Sequence, residues 1–177
     1  MTSPACVDPA VEIIAAFKKG MRQGFDPASP CPPDGGGITT VRFFAGQGAL
    51  PNWDPDTDGC AGPFLWVRAA HRYRSLRQDF PAAYARDVDD CREKPIRVLA
   101  VEVGVARCTN MDAQPDWDTL DDEAIISLDD SWRIEQVLCA VTSRLKSKER
   151  AVATDTVEPH GPEGGIIAWT GMAYVQI

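Results

Sequence analysis

The sequence has few histidines and none of the short motifs that identify the common enzyme classes. Its 177 residues include only two histidines, His71 and His160. No Gly-x-Ser-x-Gly, His-Glu-x-x-His or phosphate-binding Gly-x-x-x-x-Gly-Lys pattern occurs. His71 has no acid or nucleophile at a recognisable spacing, and His160 lies where a turn is predicted. These absences favour a protein without catalytic residues, and we expect neither a cofactor nor a metal.

Long apolar runs and positive charge are also scarce. No segment approaches the roughly 18 consecutive apolar residues of a membrane span, and the first four residues lack the basic start of a signal peptide. We therefore expect a soluble protein without a membrane partner. With 18 Lys and Arg against 26 Asp and Glu, the net charge of −8 argues against binding DNA by neutralising its phosphates.

The cysteines follow no zinc-binding spacing. The six are Cys6, Cys31, Cys60, Cys91, Cys108 and Cys139. The chain is also too long and, at 44% hydrophobic residues, too apolar to resemble a disulfide-stapled secreted scaffold. We expect structural thiols in a reducing compartment, ahead of a disulfide or a zinc site. The sequence assigns no role to Cys6 or Cys31.

The stretch from residue 96 to residue 106 is the clearest strand signal. It is rich in Val, Leu and Ile, contains no proline, and has only Arg97 and Glu102 as charges, with Arg107 directly after it. A nearly continuous apolar run of this kind predicts a central strand that is covered on both faces, one by the core and the other by a helix or a second subunit.

The remaining pattern predicts the order helix, strand, strand, strand, helix, strand, strand. Helices are predicted over residues 9–22, with Asp8 as N-cap, and over 119–146, with a break near Ser127 or Ser131 left open. The other strands are predicted over residues 38–44, 64–73, 150–157 and 166–177, with a short helix over 82–90. Residues 25–37 and 46–62 are predicted as long loops, and the last two strands as a hairpin with a wide loop over 159–165.

This order predicts a single α+β domain over residues 1–177. We expect a mostly antiparallel sheet of about five strands, with two main helices packed on one face.

Alternation along the second predicted strand separates two faces. The predicted core face holds Leu65, Val67, Ala69, His71 and Tyr73. The predicted outer face holds Trp66, Arg68, Ala70, Arg72 and Arg74. These arginines could meet solvent, a neighbouring subunit or nucleic acid, with the first two favoured in an acidic chain.

The second predicted helix combines an apolar stripe with an acidic start. The stripe is assigned to Ile125, Leu128, Trp132, Leu138, Val141 and Leu145. The acids are Asp112, Asp116, Asp118, Asp121, Asp122, Glu123, Asp129 and Asp130. We interpret them as first-turn acids that favour the helix dipole, rather than as a metal or glycosidase site.

Several short motifs together carry a family resemblance. They are Asp-Gly-Cys-Ala-Gly at 58–62, Leu-Trp-Val-Arg at 65–68, Phe-Pro at 80–81, Val-Glu-Val-Gly-Val-Ala-Arg-Cys at 101–108 and Gly-Pro-Glu-Gly-Gly at 161–165. Over about residues 55–177, the chain resembles small proteins of the head–tail gene clusters of phages infecting actinobacteria. These proteins are similar to tail terminators.

The resemblance implies a subunit of a homo-hexameric ring at the head-proximal end of a phage tail. Such a ring stops polymerisation of the tail-tube protein and offers a surface to the stopper and neck proteins, while genomic DNA passes through its lumen. The implied location is the tail and neck of the virion, after assembly in the bacterial host cytoplasm. No residue of the family is catalytic.

Under this hypothesis, arginines of one subunit contact acids of its neighbour in a contact that closes a ring. The arginines are Arg68, Arg72 and Arg74, and the acids are Asp121, Asp122 and Asp129. One alternative is another head–tail connector, a stopper or an adaptor. Stoppers are typically small β-barrels, so the long second helix argues against a stopper. The other is a small metal-dependent hydrolase that uses the Asp cluster.

Overall fold

The fold follows the predicted order of helices and strands. The structure is a computed structural model that describes residues 7–47, 60, 62–85, 95–110, 112, 114 and 116–177. Its elements are α1 (Ala10–Gly24), β1 (Val41–Ala45), β2 (Phe64–Ser75), β3 (Ile96–Cys108), α2 (Trp117–Leu145), β4 (Val152–Glu163) and β5 (Ile166–Gln176). Of the helix predicted over 82–90, residues 82–85 are not helical and the rest lies outside the described residues.

The five strands form one mixed sheet in the order β1-β2-β3-β5-β4. Strand β1 runs parallel to β2, whereas the three other pairs are antiparallel. The predicted α+β class and the mostly antiparallel sheet are confirmed. Strand β3 lies at the centre, as its apolar sequence predicts.

Both helices pack on the same face of the sheet. Ile13 and Phe17 of α1, and Ile134 and Leu138 of α2, belong to one buried cluster. The β3 residues of that cluster alternate along the strand, namely Leu99, Val101, Val103 and Val105. Helical spacing of three and four residues on α1 and α2 brings these side chains onto a common layer.

A β-bulge at Ala70 reverses the faces of the second half of β2. The pairing with β3 shifts by one residue there, so one β2 residue has no partner. His71 and Tyr73 therefore lie on the face opposite the helices, and Arg72 lies on the helix side, where it pairs with Asp8. The prediction that His71 and Tyr73 face the helix-side core was wrong, because strict alternation does not register an inserted residue.

Helix α2 begins two residues earlier than predicted and runs without a break. Its N-cap is Asp116, whose Oδ2 accepts a hydrogen bond from Thr119 Oγ1 at 3.0 Å. Ser127 and Ser131 lie within continuous helix, so the open alternative of a break between them does not apply.

The β4–β5 hairpin is tight rather than wide. Strand β4 continues to Glu163, and only Gly164 and Gly165 connect it to β5. Their φ angles of 58° and 74° match a hairpin turn that glycine adopts without steric cost. The predicted wide loop over 159–165 was wrong.

A disulfide joins Cys60 to Cys108, with 5.6 Å between their Cα atoms. The β2–β3 pairing places Phe64 opposite Ala106, so the residues just before β2 and at the end of β3 lie side by side. The expectation of free thiols was therefore wrong for this pair. Cys31 and Cys139 are free and exposed, and Cys6 and Cys91 lie outside the described residues.

Candidate assembly surfaces

The three arginines predicted at a subunit contact do not share one face. Arg68 lies on the face opposite the helices, with its Nε 3.3 Å from Glu102 Oε1. Arg72 comes after the bulge, so it lies on the helix side of the sheet, where it pairs with Asp8. Its hydrogen bond, together with one from a backbone N–H of α1, lowers the pKa of Asp8. Arg74 is exposed near the end of β2.

The three predicted acids also have different surroundings. Asp121 and Asp122 are exposed on the first turns of α2. Asp129 is half-buried, and its Oδ2 accepts a hydrogen bond from Arg133 Nε at 2.6 Å and one from the backbone N–H of Asp34 at 3.2 Å. A contact of these six residues between copies stays a prediction, but Arg68, Arg72 and Asp129 already have partners within the chain.

A buried ion pair that the sequence analysis missed joins β3 to α2. Arg107 donates from Nε to Asp130 Oδ2 at 2.5 Å and from Nη2 to Oδ1 at 2.8 Å. Arg107 also donates to the carbonyls of Gly35 at 2.6 Å and Gly36 at 3.0 Å. Burial raises the pKa of Asp130, and the hydrogen bonds and charge of Arg107 oppose this rise. The sequence did contain an indication of this pair. Arg107 continues the alternation of Val103 and Val105 on the buried, helix side of β3, and a buried charge needs a partner of opposite charge.

A second arginine fixes the connection between α1 and β1. Arg133 donates to the carbonyl oxygens of Gly24 and Cys31, each at 3.1 Å, and of Pro32 at 2.9 Å. The predicted loop over 25–37 is therefore irregular in conformation but tied to α2 along its length. Asp129 and Asp130 serve this packing from the middle of α2. The interpretation of these two as first-turn acids was therefore wrong.

Helix α2 carries an exposed apolar surface, which we name the helix stripe: Trp117, Ile125, Leu128 and Trp132. Their relative exposures are 75%, 59%, 66% and 51%, respectively. At about 100° per residue, these positions lie on the opposite side of the helix from Val137 and Val141, which are buried. The prediction of one apolar stripe was therefore wrong, because it merged two faces of α2.

A second apolar surface lies between α1 and the β1 edge of the sheet. This α1–β1 groove has a volume of about 630 Å³ and is lined mainly by Val11, Ile14, Ala15, Phe43, Ala45 and Ala69, with Lys18 beside them. Val11 and Phe43 are 59% and 46% exposed. The helix stripe and the α1–β1 groove are both apolar and open to solvent.

The sheet face opposite the helices is closed by its own aromatic side chains. Trp66 is 2% exposed and donates from Nε1 to Glu102 Oε1 at 2.7 Å. It lies over Gly104, where a Cβ atom would overlap the indole ring. Phe64 is 6.0 Å from Trp66 between ring centroids, and Phe44 stacks on Phe64 at 6.3 Å. Aromatic side chains of neighbouring strands, and Trp66 above all, therefore cover this face of β3. The prediction that a helix or a second subunit covers it was wrong.

Two tyrosines lie further along the same face. Tyr73 donates to the carbonyl of Pro81 at 2.6 Å, and Tyr174 donates to Asp155 Oδ2 at 3.2 Å. Burial, with a smaller contribution from Tyr174, raises the pKa of Tyr73 to about 12. These contacts hold the rings against the sheet.

Neither side-chain clusters nor known relatives point to an activity. Across the described residues, no three His, Cys, Asp or Glu side chains lie close enough together to hold a metal ion. In the same part of the chain, neither helix combines the length and apolarity that a bilayer crossing needs. No protein-family model matches the sequence, and no curated protein matches it. The two apolar surfaces, the helix stripe and the α1–β1 groove, are the features of the described residues that indicate a binding role.

Proposed function

We propose that this chain is a structural virion protein that forms a ring at the head-proximal end of a phage tail. The ring ends polymerisation of the tail tube and joins the tail to the neck. The observation that carries this proposal is the helix stripe, because large apolar side chains in a contiguous exposed patch mark a protein contact.

The positions of the family-like motifs support the proposal. Cys60 of the motif at 58–62 is bonded to Cys108 of the motif at 101–108. The backbone N–H of Thr109 donates to the carbonyl of Gly165, in the motif at 161–165, at 2.8 Å. Cys60, Cys108 and Gly165, which belong to three motifs far apart in the sequence, therefore lie near one end of the sheet.

The charge distribution also suits this role. Acids on the outer surface of α2, such as Asp118, Asp121 and Asp122, are exposed. With a net charge of −8, a ring of such subunits repels DNA, so genomic DNA passes through its lumen without being retained. The expected partners are other copies of the chain, the tail-tube protein and the stopper or neck proteins.

Deletion of the gene in its phage tests the proposal. We expect capsids joined to abnormally long tails, because tube polymerisation would lack its stop. Filled heads without tails that leak DNA would instead favour a stopper or an adaptor. Electron microscopy of the purified protein and of the virion neck should show a ring at the junction of tail and head.

Calorimetry separates this role from that of a metal-dependent hydrolase. Asp129 and Asp130 are engaged by Arg133 and Arg107, which supports a structural role for both carboxylates. We expect no heat of binding when Mg²⁺, Mn²⁺ or Ca²⁺ is titrated into the protein. Saturable binding that is lost in Asp121→Asn/Asp122→Asn would favour the hydrolase.

A further inference from the structure

We propose that neighbouring subunits join head to tail, with the helix stripe of one copy seated in the α1–β1 groove of the next. This inference rests on the proposed function and names the surfaces that build the ring. Both surfaces are apolar and exposed, so bringing them together removes area from water that an isolated subunit leaves uncovered.

The two surfaces have complementary shapes. Ile125, Leu128 and Trp132 follow one another by about one helical turn and form a ridge. The groove, at about 630 Å³, is as large as clefts that enclose drug-sized ligands and can admit several side chains. Val11 and Phe43, both exposed, form its apolar walls.

Their charges are also complementary. Asp118, Asp121 and Glu135 are exposed on α2 beside the helix stripe. Helix α1 carries Lys18, Lys19 and Arg22 against a single acid, Glu12. The groove is lined by Lys18 and by Asp8 and Arg72, which pair with each other and leave the charge of Lys18 in excess. Seating the stripe in the groove brings acids of one copy towards lysines of the next, which orients the contact and speeds encounter. Asp121 keeps its predicted role, whereas Lys18 replaces the arginines already engaged within the chain.

The surfaces lie at different places in the fold. The groove opens at the β1 edge of the sheet, whereas α2 packs over β5 and β4 at the other edge. A contact between two different patches repeats from copy to copy and closes into a ring when the rotation permits. In a two-fold dimer, by contrast, both subunits would use the same patch, so the helix stripe of one copy would contact the helix stripe of the other.

Cysteine cross-linking of the full chain tests which patches meet. The background keeps Cys60 and Cys108 and replaces the four other cysteines with serine. We expect Leu128→Cys and Phe43→Cys proteins to give a disulfide-linked dimer on oxidation only when they are mixed. A chain with both substitutions should give a ladder of multimers that ends in one closed species. Thr156→Cys, at an exposed position of β4, is the matched control and should not cross-link to Leu128→Cys.

Three results would overturn the inference. Leu128→Cys that cross-links to itself would indicate a two-fold contact through the stripe. No cross-linking in the mixture would show that the surfaces do not meet. Saturable binding of an apolar small molecule in the groove, with the protein monomeric at every concentration, would assign the groove to a ligand.

A charge exchange provides a second measurement. We expect Lys18→Glu and Asp121→Lys each to weaken assembly in sedimentation experiments, and the double variant to recover it. Leu128→Asp should abolish assembly yet leave the melting temperature of the subunit nearly unchanged, because Leu128 is exposed. Additive losses in the double variant would count against the contact.

The outcomes separate this inference from the proposed function. Long tails in the deletion mutant, together with a stripe-to-stripe cross-link, would keep the function and reject the contact. A stripe-to-groove cross-link, together with normal tails in the deletion mutant, would keep the contact and reject the function.

Discussion

At the scale of single residues, Arg107 joins three parts of the chain: β3, α2 and the connection that precedes β1. Arg107→Ala would leave the buried carboxylate of Asp130 without its charged partner. We therefore expect the free energy of unfolding to fall by about 3–5 kcal/mol. Urea denaturation of the purified protein measures this loss.

The matched control is Arg72→Ala, which removes an ion pair of the same kind at the surface. Arg72 and Asp8 keep 51% and 42% of their side-chain area exposed, so solvent screens the pair and we expect a much smaller loss than in Arg107→Ala. Equal losses in the two variants would show that burial of the Arg107–Asp130 pair does not matter.

Gly104 gives the Trp66 indole room to lie flat on the sheet. In Gly104→Ala, the added methyl group would overlap the ring, so we expect a loss of about 1–3 kcal/mol and altered tryptophan fluorescence. Gly62→Ala is the control, because an added Cβ there meets none of the described residues within 4 Å. If Gly104→Ala melts like the wild type, the indole is not confined as described.

Tyr73 should ionise late in an alkaline titration. Its pKa is about 12 in the folded protein against an ordinary 10.0, so the folded state holds the proton more tightly. The resulting stabilisation is complete below pH 10.0 and is lost as the pH rises through about 12. Tyrosinate absorbance should lose part of its late step in Tyr73→Phe and the rest in Tyr73→Phe/Tyr174→Phe, because burial also raises the pKa of Tyr174. An unchanged late step in Tyr73→Phe would assign it elsewhere.

At the scale of elements, α2 separates stability from assembly. Leu138 is 3% exposed and Leu128 is 66% exposed on the same helix. We expect Leu138→Ala to lower the free energy of unfolding by about 2–5 kcal/mol and Leu128→Ala by less than about 0.5 kcal/mol. Thermal melts of the two variants make the comparison. A large loss in Leu128→Ala would mean that the stripe packs within its own subunit.

The edges of the sheet also limit how copies can join. Strand β4 forms one edge, and it contains Pro159 and Pro162 together with two irregularities in its pairing. Proline lacks the N–H that edge pairing needs, and bulges turn an edge away from a partner strand. A side-chain contact through α2 avoids this obstacle.

Sequence periodicity predicted where the helices and strands lie. It did not predict which face of α2 and of β2 is buried. Strand β3 and helix α1 were recognisable because apolar side chains dominate one long run or recur at helical spacing. Helix α2 carries apolar residues on two opposite sides, and the predicted stripe passed from one side to the other at the six-residue step from Trp132 to Leu138, which does not fit helical spacing. The bulge at Ala70 was not predicted either, because the sequence of β2 does not show that one of its residues lacks a partner on β3.

At the scale of the whole molecule, the disulfide closes a segment of 48 residues between Cys60 and Cys108. A cross-link over this separation restricts the unfolded chain and is worth about 4 kcal/mol. We expect reduction, or Cys60→Ser/Cys108→Ser, to lower the stability by about that amount in urea unfolding. Reduction of a Cys31→Ser/Cys139→Ser variant should cause the same loss, because those thiols are free. No change on reduction would contradict the pairing.

The order of elements and the fold class could be predicted from the sequence. The helix stripe and the α1–β1 groove could be recognised only in the folded structure. The α1–β1 groove is formed by residues from α1, β1 and β2, which no local pattern relates to one another. The hydrogen bonds from Arg107 to Gly35 and from Arg133 to Pro32 likewise span 72 and 101 residues of sequence. Such features depend on tertiary packing rather than on spacing.

The Cys60–Cys108 disulfide should make the heat stability of the virion depend on whether its surroundings are reducing or oxidising. A bacterial cytoplasm keeps thiols reduced, so a chain that assembles there, as proposed, would enter the nascent virion without the cross-link. The bond would then close after lysis, on exposure to air. A released phage would accordingly tolerate heat better than one freshly extracted from an intact cell.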